Sequence, residues 1–215
     1  MWHPVAGGNA TNPAAGQLVG VVGLICSAAA LALVPLVLPA SYSWVERTTS
    51  EAGAQGVHGA WLARAGFVLF GLAVLWIGRR RGSAWGRLAT GFHLVFGVCM
   101  IAVAAFSLRS WLPGVPFDPT EDALHSVAAT VMGFAFAFGV LSVVFRRRTN
   151  GEPWRTLDLI AIATSVAVPL GMTALGSIDG VLQRLMFVVA YLWYGGEAWA
   201  DFADAAGQKL MIEGR

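Results

Sequence analysis

Three carboxylates and a histidine crowd into one short stretch, Phe117-Asp118-Pro119-Thr120-Glu121-Asp122-Ala123-Leu124-His125-Ser126. On a helix, Asp118, Asp122 and His125 are spaced i, i+4 and i+7 and share a face. A histidine beside a carboxylate can move protons or hold a divalent ion. With His125 as base or metal ligand, Asp122 as its orienter, and Ser126 or Ser50 as nucleophile or water-holder, the stretch would serve a membrane-embedded hydrolase. His58, Asp122 and His125 together are a candidate three-ligand zinc site drawn from separate helices. Asp122, His125 and Glu197 would be the ionisable groups of a proton-coupled transporter. The stretch runs directly into Val127–Phe145, which is apolar and long enough to cross a bilayer. Ionisable groups at the mouth of such a segment are costly to desolvate and need partners.

Helices must position this cluster. Of 215 residues, 57% are apolar and 12% charged, with mean hydropathy +0.66. Soluble domains carry roughly 25% charged residues, so the deficit points to a membrane protein. The net charge of +2 is too small to suggest a nucleic-acid partner. Cys26 and Cys99 lie in apolar runs and read as small packing residues. The start, Met1-Trp2-His3-Pro4, lacks the basic region of a cleavable signal peptide. Six apolar segments, about 17–39, 57–78, 88–111, 123–145, 157–176 and 181–203, each have the length a helix needs to cross roughly 30 Å of hydrocarbon. In lipid their backbones must satisfy themselves, so they are helices. The expected fold is all-α: six transmembrane helices within 17–203, a flexible N-terminus 1–16 and a tail 204–215. The last four residues, Ile212-Glu213-Gly214-Arg215, spell a protease site and read as engineered.

Arg79-Arg80-Arg81 with Arg87 fill the second loop, and Arg146-Arg147-Arg148 with Arg155 fill the fourth. Arginine-rich short loops stay cytoplasmic. Both termini are then cytoplasmic, and loops 40–56, 112–122 and 177–180 face outward across the plasma membrane. Among the polar groups, Glu51, His58, Arg64, Arg109, Asp118, Asp122, His125, Asp179 and Arg184 fall on that outer side. Arg64 lies deepest, roughly 10 Å into the second helix at about 1.5 Å per residue, and Asp122 is its expected partner. Plainer roles exist for each: Asp118 and Glu121 as a helix cap, Arg109 as a snorkelling side chain, His58 in the head-group layer. His93, Glu197 and Asp201 form a second group near the arginines, where His93, Tyr194 or a loop arginine would serve Glu197.

Helix boundaries and packing also leave marks. Asp118-Pro119-Thr120-Glu121 has the pattern of a capping box with proline at the first helical position. Thr156 with Asp158 can start the fifth helix and Asp179 the sixth. Gly16, Gly20, Ala28 and Ala32 offer a small-residue face for helix packing. Pro35 and Pro169 are expected to kink their helices. Trp44, Trp61, Trp111, Trp154, Trp193 and Trp199 lie near segment ends, as interfacial residues do. A retinal Schiff base lacks a membrane lysine, since the only lysine is Lys209. A haem is not expected, because His93 and His125 fall on opposite sides of the membrane.

Two stretches resemble a known family. Thr49-Ser50-Glu51-Ala52-Gly53-Ala54-Gln55-Gly56, leading into Gly59-Ala60-Trp61-Leu62-Ala63-Arg64, resembles the Ser-Glu-x-x-Ala-Gln-Gly region of the DUF998 family. Asp122-Ala123-Leu124-His125-Ser126 resembles that family's Leu-His-Ser entry to its fourth helix. The resemblance implies a prokaryotic six-helix membrane protein and draws notice to Ser50, Glu51, Gln55, Arg64, His125 and Ser126. It supplies no activity.

The function expected from these residues is binding or sensing. A polar pocket open to the outer leaflet would take a lipid or an amphipathic small molecule. Ser50, Glu51, Gln55, His58, Arg64, Asp118, Asp122, His125, Ser126 and Arg184 are its candidate residues. Apolar walls would hold the tail, and Arg64, Glu51 and His125 the polar end.

Overall fold

The computed structural model describes the backbone of residues 13–213 and the side chains of residues 18–200. The flexible N-terminus expected at 1–16 thus falls largely outside the described residues. Seven α-helices follow in order: α1 Pro13–Leu33, α2 Thr49–Ala52, α3 Ala60–Trp85, α4 Arg87–Ala105, α5 Pro119–Thr149, α6 Thr156–Ala174 and α7 Asp179–Glu213. Two 3-10 turns, Val34–Leu36 and Gly176–Ile178, close α1 and precede α7. No strand occurs among the described residues.

Five of these elements are long and apolar enough to cross a membrane: Leu18–Leu36, then α3, α4, α5 and α6. The chain is therefore a multi-pass helical membrane protein. α7 is not among the five, because Gln183, Arg184 and Glu197 interrupt its apolar residues. The tail from 204 is not a separate segment, since α7 continues through it to Glu213.

The six long helices close into a ring. α3 packs on α4, α4 on α5, α5 on α6, α6 on α7, α7 on α1 and α1 on α3, while α3 also touches α7. Small residues permit the closest approaches, because without a hydrophobic drive between helices in lipid, packing depends on backbone proximity. A Cβ on Gly71 of α3 would lie 2.6 Å from the Gly97 carbonyl oxygen of α4. Along α1 the packed face is Gly20, Gly23, Ser27 and Ala30, with Gly20 on Ile77 and Gly23 on Ala73 of α3. This differs from the expected stripe: Ala32 is exposed, and Gly16 lies outside the described side chains. Ser27 anchors the face by donating to the Gly66 carbonyl at 2.6 Å, and its Oγ lies 2.6 Å from the Tyr191 hydroxyl.

Pro35 does not kink α1 but ends it, standing inside the 3-10 turn, whereas Pro169 is accommodated within α6. Of the six expected interfacial tryptophans, Trp193 departs: it is fully buried.

The two arginine clusters meet at one end of the ring. Arg146 donates to the Ala84 and Ser83 carbonyls at 2.9 and 3.2 Å, tying the end of α5 to the α3–α4 turn. The opposite end carries the long connections 37–59 and 106–118. They are sewn together by backbone bonds such as Gln55 N–H to the Leu108 carbonyl at 2.9 Å.

Candidate functional site

At the loop end, α2 is only four residues long and depends on its caps. Thr48 is the N-cap, accepting from Glu51 N–H, while the Glu51 carboxylate accepts from Thr48 N–H at 2.8 Å. The Arg47 guanidinium pairs with the same carboxylate at 2.8 Å and lies over the Trp111 ring. Trp111 in turn donates to the Glu51 carbonyl at 3.0 Å. Gln183 of α7 accepts from the backbone N–H of Thr49 and Ser50, and its amide donates to the Ser50 hydroxyl at 3.5 Å. Arg184 donates to the carbonyls of Trp44, Arg47 and Gly180 and to the Tyr42 hydroxyl at 2.6 Å. Burial pushes the Tyr42 phenol above its usual pKa, and the Arg184 charge only partly opposes this.

Gln55 joins three segments. Its side-chain amide donates to the Ser107 carbonyl at 2.8 Å and the Asp118 carbonyl at 3.1 Å, and its oxygen accepts from Asp118 N–H at 2.7 Å. Beside it, Arg64 reaches back from α3 to donate to the Gly53 and Ala54 carbonyls at 2.9 and 3.1 Å. The expected Arg64–Asp122 ion pair does not form. Backbone oxygens of the turn after α2 are nearer partners and need no second charge to be desolvated. Gln55, Gly56, Arg64, Pro116, Phe117, Asp118 and Glu121 line a cleft of about 430 Å³ that opens to the surface.

The acidic stretch divides its labour. Asp118 caps α5, accepting from Thr120 N–H at 2.7 Å and Glu121 N–H at 3.3 Å. Glu121 does not complete a capping box, because its carboxylate crosses to Ser107 N–H at 2.7 Å. Asp122 accepts from Arg109 N–H at 2.8 Å. The ring of His125 is buried, with Nδ1 2.8 Å from the Phe106 carbonyl and 3.2 Å from that of Val103, so it closes the C-terminus of α4. Ser126 is exposed and donates to the Asp122 carbonyl at 3.0 Å. Hence only Gln55, Arg64 and Asp118 of the expected site residues line the cleft, joined there by Glu121. Glu51, Asp122, His125 and Arg184 do not line it and instead support loops and helix ends. His58 is exposed before α3. Among the described residues no three His, Cys, Asp or Glu side chains could hold a metal ion together, so His58, Asp122 and His125 do not assemble as zinc ligands.

The larger polar assembly stands at the arginine end. Nη1 of Arg147 reaches both oxygens of Asp158, at 3.0 and 2.8 Å, and Nη2 bonds Glu197. Arg155 also donates to Glu197, at 3.1 Å, and Arg81 lies 3.6 Å from its other oxygen. Trp85 donates to Glu197 at 2.7 Å and Trp193 to Asp158 at 2.9 Å. His93 Nδ1 lies 2.8 Å from the Tyr194 hydroxyl, between the Trp85 and Trp193 rings. The expected loop arginine does serve Glu197, and His93 does not; the side chain of Asp201 lies outside the described residues. From sequence alone Arg147 reads as a topology signal and Asp158 as part of a helix start. A carboxylate in the first turn of an apolar span, with another on a neighbouring helix, is the signal that a buried cation must join them.

No curated protein and no solved structure matches the chain. A sequence profile described as a protein of unknown function, DUF998, matches residues 20–200, which take in the cleft, the acidic stretch and the buried ion network. Spanning the bundle from α1 into α7, that match assigns this multi-pass helical protein to the DUF998 family.

Proposed function

We propose that the protein binds or senses a lipid or an amphipathic small molecule in the cleft at its loop end. The observation that carries this is Arg64 within the 430 Å³ cleft. Its Nε and Nη2 are committed to carbonyls, and Nη1 has no hydrogen-bond partner among the described residues. A part-solvated guanidinium with hydrogens to spare, beside Pro116 and exposed Phe117, suits an anionic group on an apolar body. Binding is favoured over hydrolysis because Ser126 spends its hydroxyl on the Asp122 carbonyl, and His125 turns Nδ1 to the end of α4 and leaves Nε2 buried without a partner, so among the described residues no serine hydroxyl is bonded to this imidazole. It is favoured over proton-coupled transport because Glu197 is held by arginines.

In this proposal α7 is the sixth span, the arginine end and both termini are cytoplasmic, and the cleft opens at the outer surface of the plasma membrane. The convergence of both arginine clusters on one end supports that orientation.

Native mass spectrometry after gentle detergent extraction tests the binding role. A lipid-like molecule should be retained by the wild type and fall at least about tenfold in Arg64→Gln, the equivalent of about 1.4 kcal/mol. Equal retention by a folded Arg64→Gln variant would overturn it.

A further inference from the structure

The cleft carries charges of both signs that do not neutralise one another. Arg64 lines it from α3, and Asp118 and Glu121 line it from the start of α5. Among the described residues none of the three belongs to an ion pair. Each is only half used by its neighbours. One oxygen of Asp118 caps α5, and one oxygen of Glu121 accepts from Ser107 N–H. Among the described residues nothing donates to the second oxygen of either. Phe117, 44% exposed, adds an aromatic surface beside the two carboxylates, and such a ring attracts cations.

We infer that the ligand bears an anion and an ammonium group within one small head, as a phosphoethanolamine or phosphocholine does. This rests on the binding role proposed above and adds the chemical class. The phosphate would meet Arg64, and the ammonium would meet Asp118 and Glu121 against Phe117. With one cationic and two anionic side chains, the lining has a net charge of −1. It therefore attracts an ammonium and repels a head that is anionic alone. A cleft of about 430 Å³ suits a polar head rather than a complete two-chain lipid.

The test uses delipidated full-length protein and three probes: phosphatidylethanolamine, phosphatidylglycerol and water-soluble glycerophosphoethanolamine. The expected result is at least about tenfold tighter binding of phosphatidylethanolamine than of phosphatidylglycerol. The Asp118→Asn/Glu121→Gln double variant keeps the acceptors that cap α5 and hold Ser107, and removes both charges. It should lose that preference. If the double variant does not fold, Phe117→Leu serves instead and should weaken phosphatidylethanolamine several-fold. Equal affinity for the two lipids overturns the zwitterion inference and leaves lipid binding standing. Binding of no probe overturns both. Glycerophosphoethanolamine binding as tightly as the lipid supports the zwitterion and identifies a free head group, not a lipid, as the ligand.

Discussion

Arg147 on α5 and Asp158 on α6 form a two-point ion pair, one guanidinium nitrogen contacting both carboxylate oxygens at 3.0 and 2.8 Å, with side chains 8% and 2% exposed. Glu197 of α7 joins the same guanidinium, so three helices are pinned at one place. Removing one member leaves charge buried without its partner, which costs about 3–5 kcal/mol. Asp158→Ala and Glu197→Ala should each lower the melting temperature in detergent sharply, and in combination with Arg147→Ala the losses should not add. Unchanged melting of both single variants would falsify the network's structural role.

Gln55 should act as the rivet of the loop end. Gln55→Ala removes bonds to Ser107 and to both backbone groups of Asp118. Amide exchange in 106–118 should accelerate at least about tenfold, while the arginine end stays protected. Exchange confined to its wild-type rate would show that other contacts hold the loop.

Gly59 precedes α3 at φ +81°, and a Cβ there would lie 2.2 Å from the Val37 carbonyl oxygen. Gly59→Ala meets both an unfavourable backbone conformation and a backbone obstacle. A loss beyond about 1 kcal/mol, or failure to accumulate in the membrane, is expected. A wild-type melting curve for Gly59→Ala would contradict this geometry.

The proposed orientation predicts that a cysteine at Thr48 reacts with a membrane-impermeant reagent on intact cells and that one at Thr149 does not. The background cysteines Cys26 and Cys99 are replaced first. Labelling at Thr149 alone would invert the protein.

Tyr42 gives the loop end a dependence on alkaline pH. Its folded pKa is raised, so the neutral phenol is favoured by folding. The stability it contributes is complete below its unfolded pKa of about 10 and declines as pH rises through the higher folded value. The melting advantage of wild type over Tyr42→Phe should therefore be constant from neutrality to about pH 9.5 and narrow above it. A gap that widens above pH 10 would reverse the sign.

The sequence by itself determined that the chain is helical and membrane-embedded. Backbone groups in lipid must pair within their own segment, so apolar runs of sufficient length name their own structure. It also determined that the arginine clusters share an end, and that Asp118 caps α5, because a cap is set by the nearest three residues. The tertiary structure decided which polar atoms meet. Arg64 took the Gly53 and Ala54 carbonyls instead of Asp122, His125 took the end of α4, and Asp158 left its helix start for Arg147. These partners come from other segments, and reaching them depends on how each helix is rotated and where each loop crosses. Those choices are settled by the close packing of small residues around the whole ring, which no local spacing encodes.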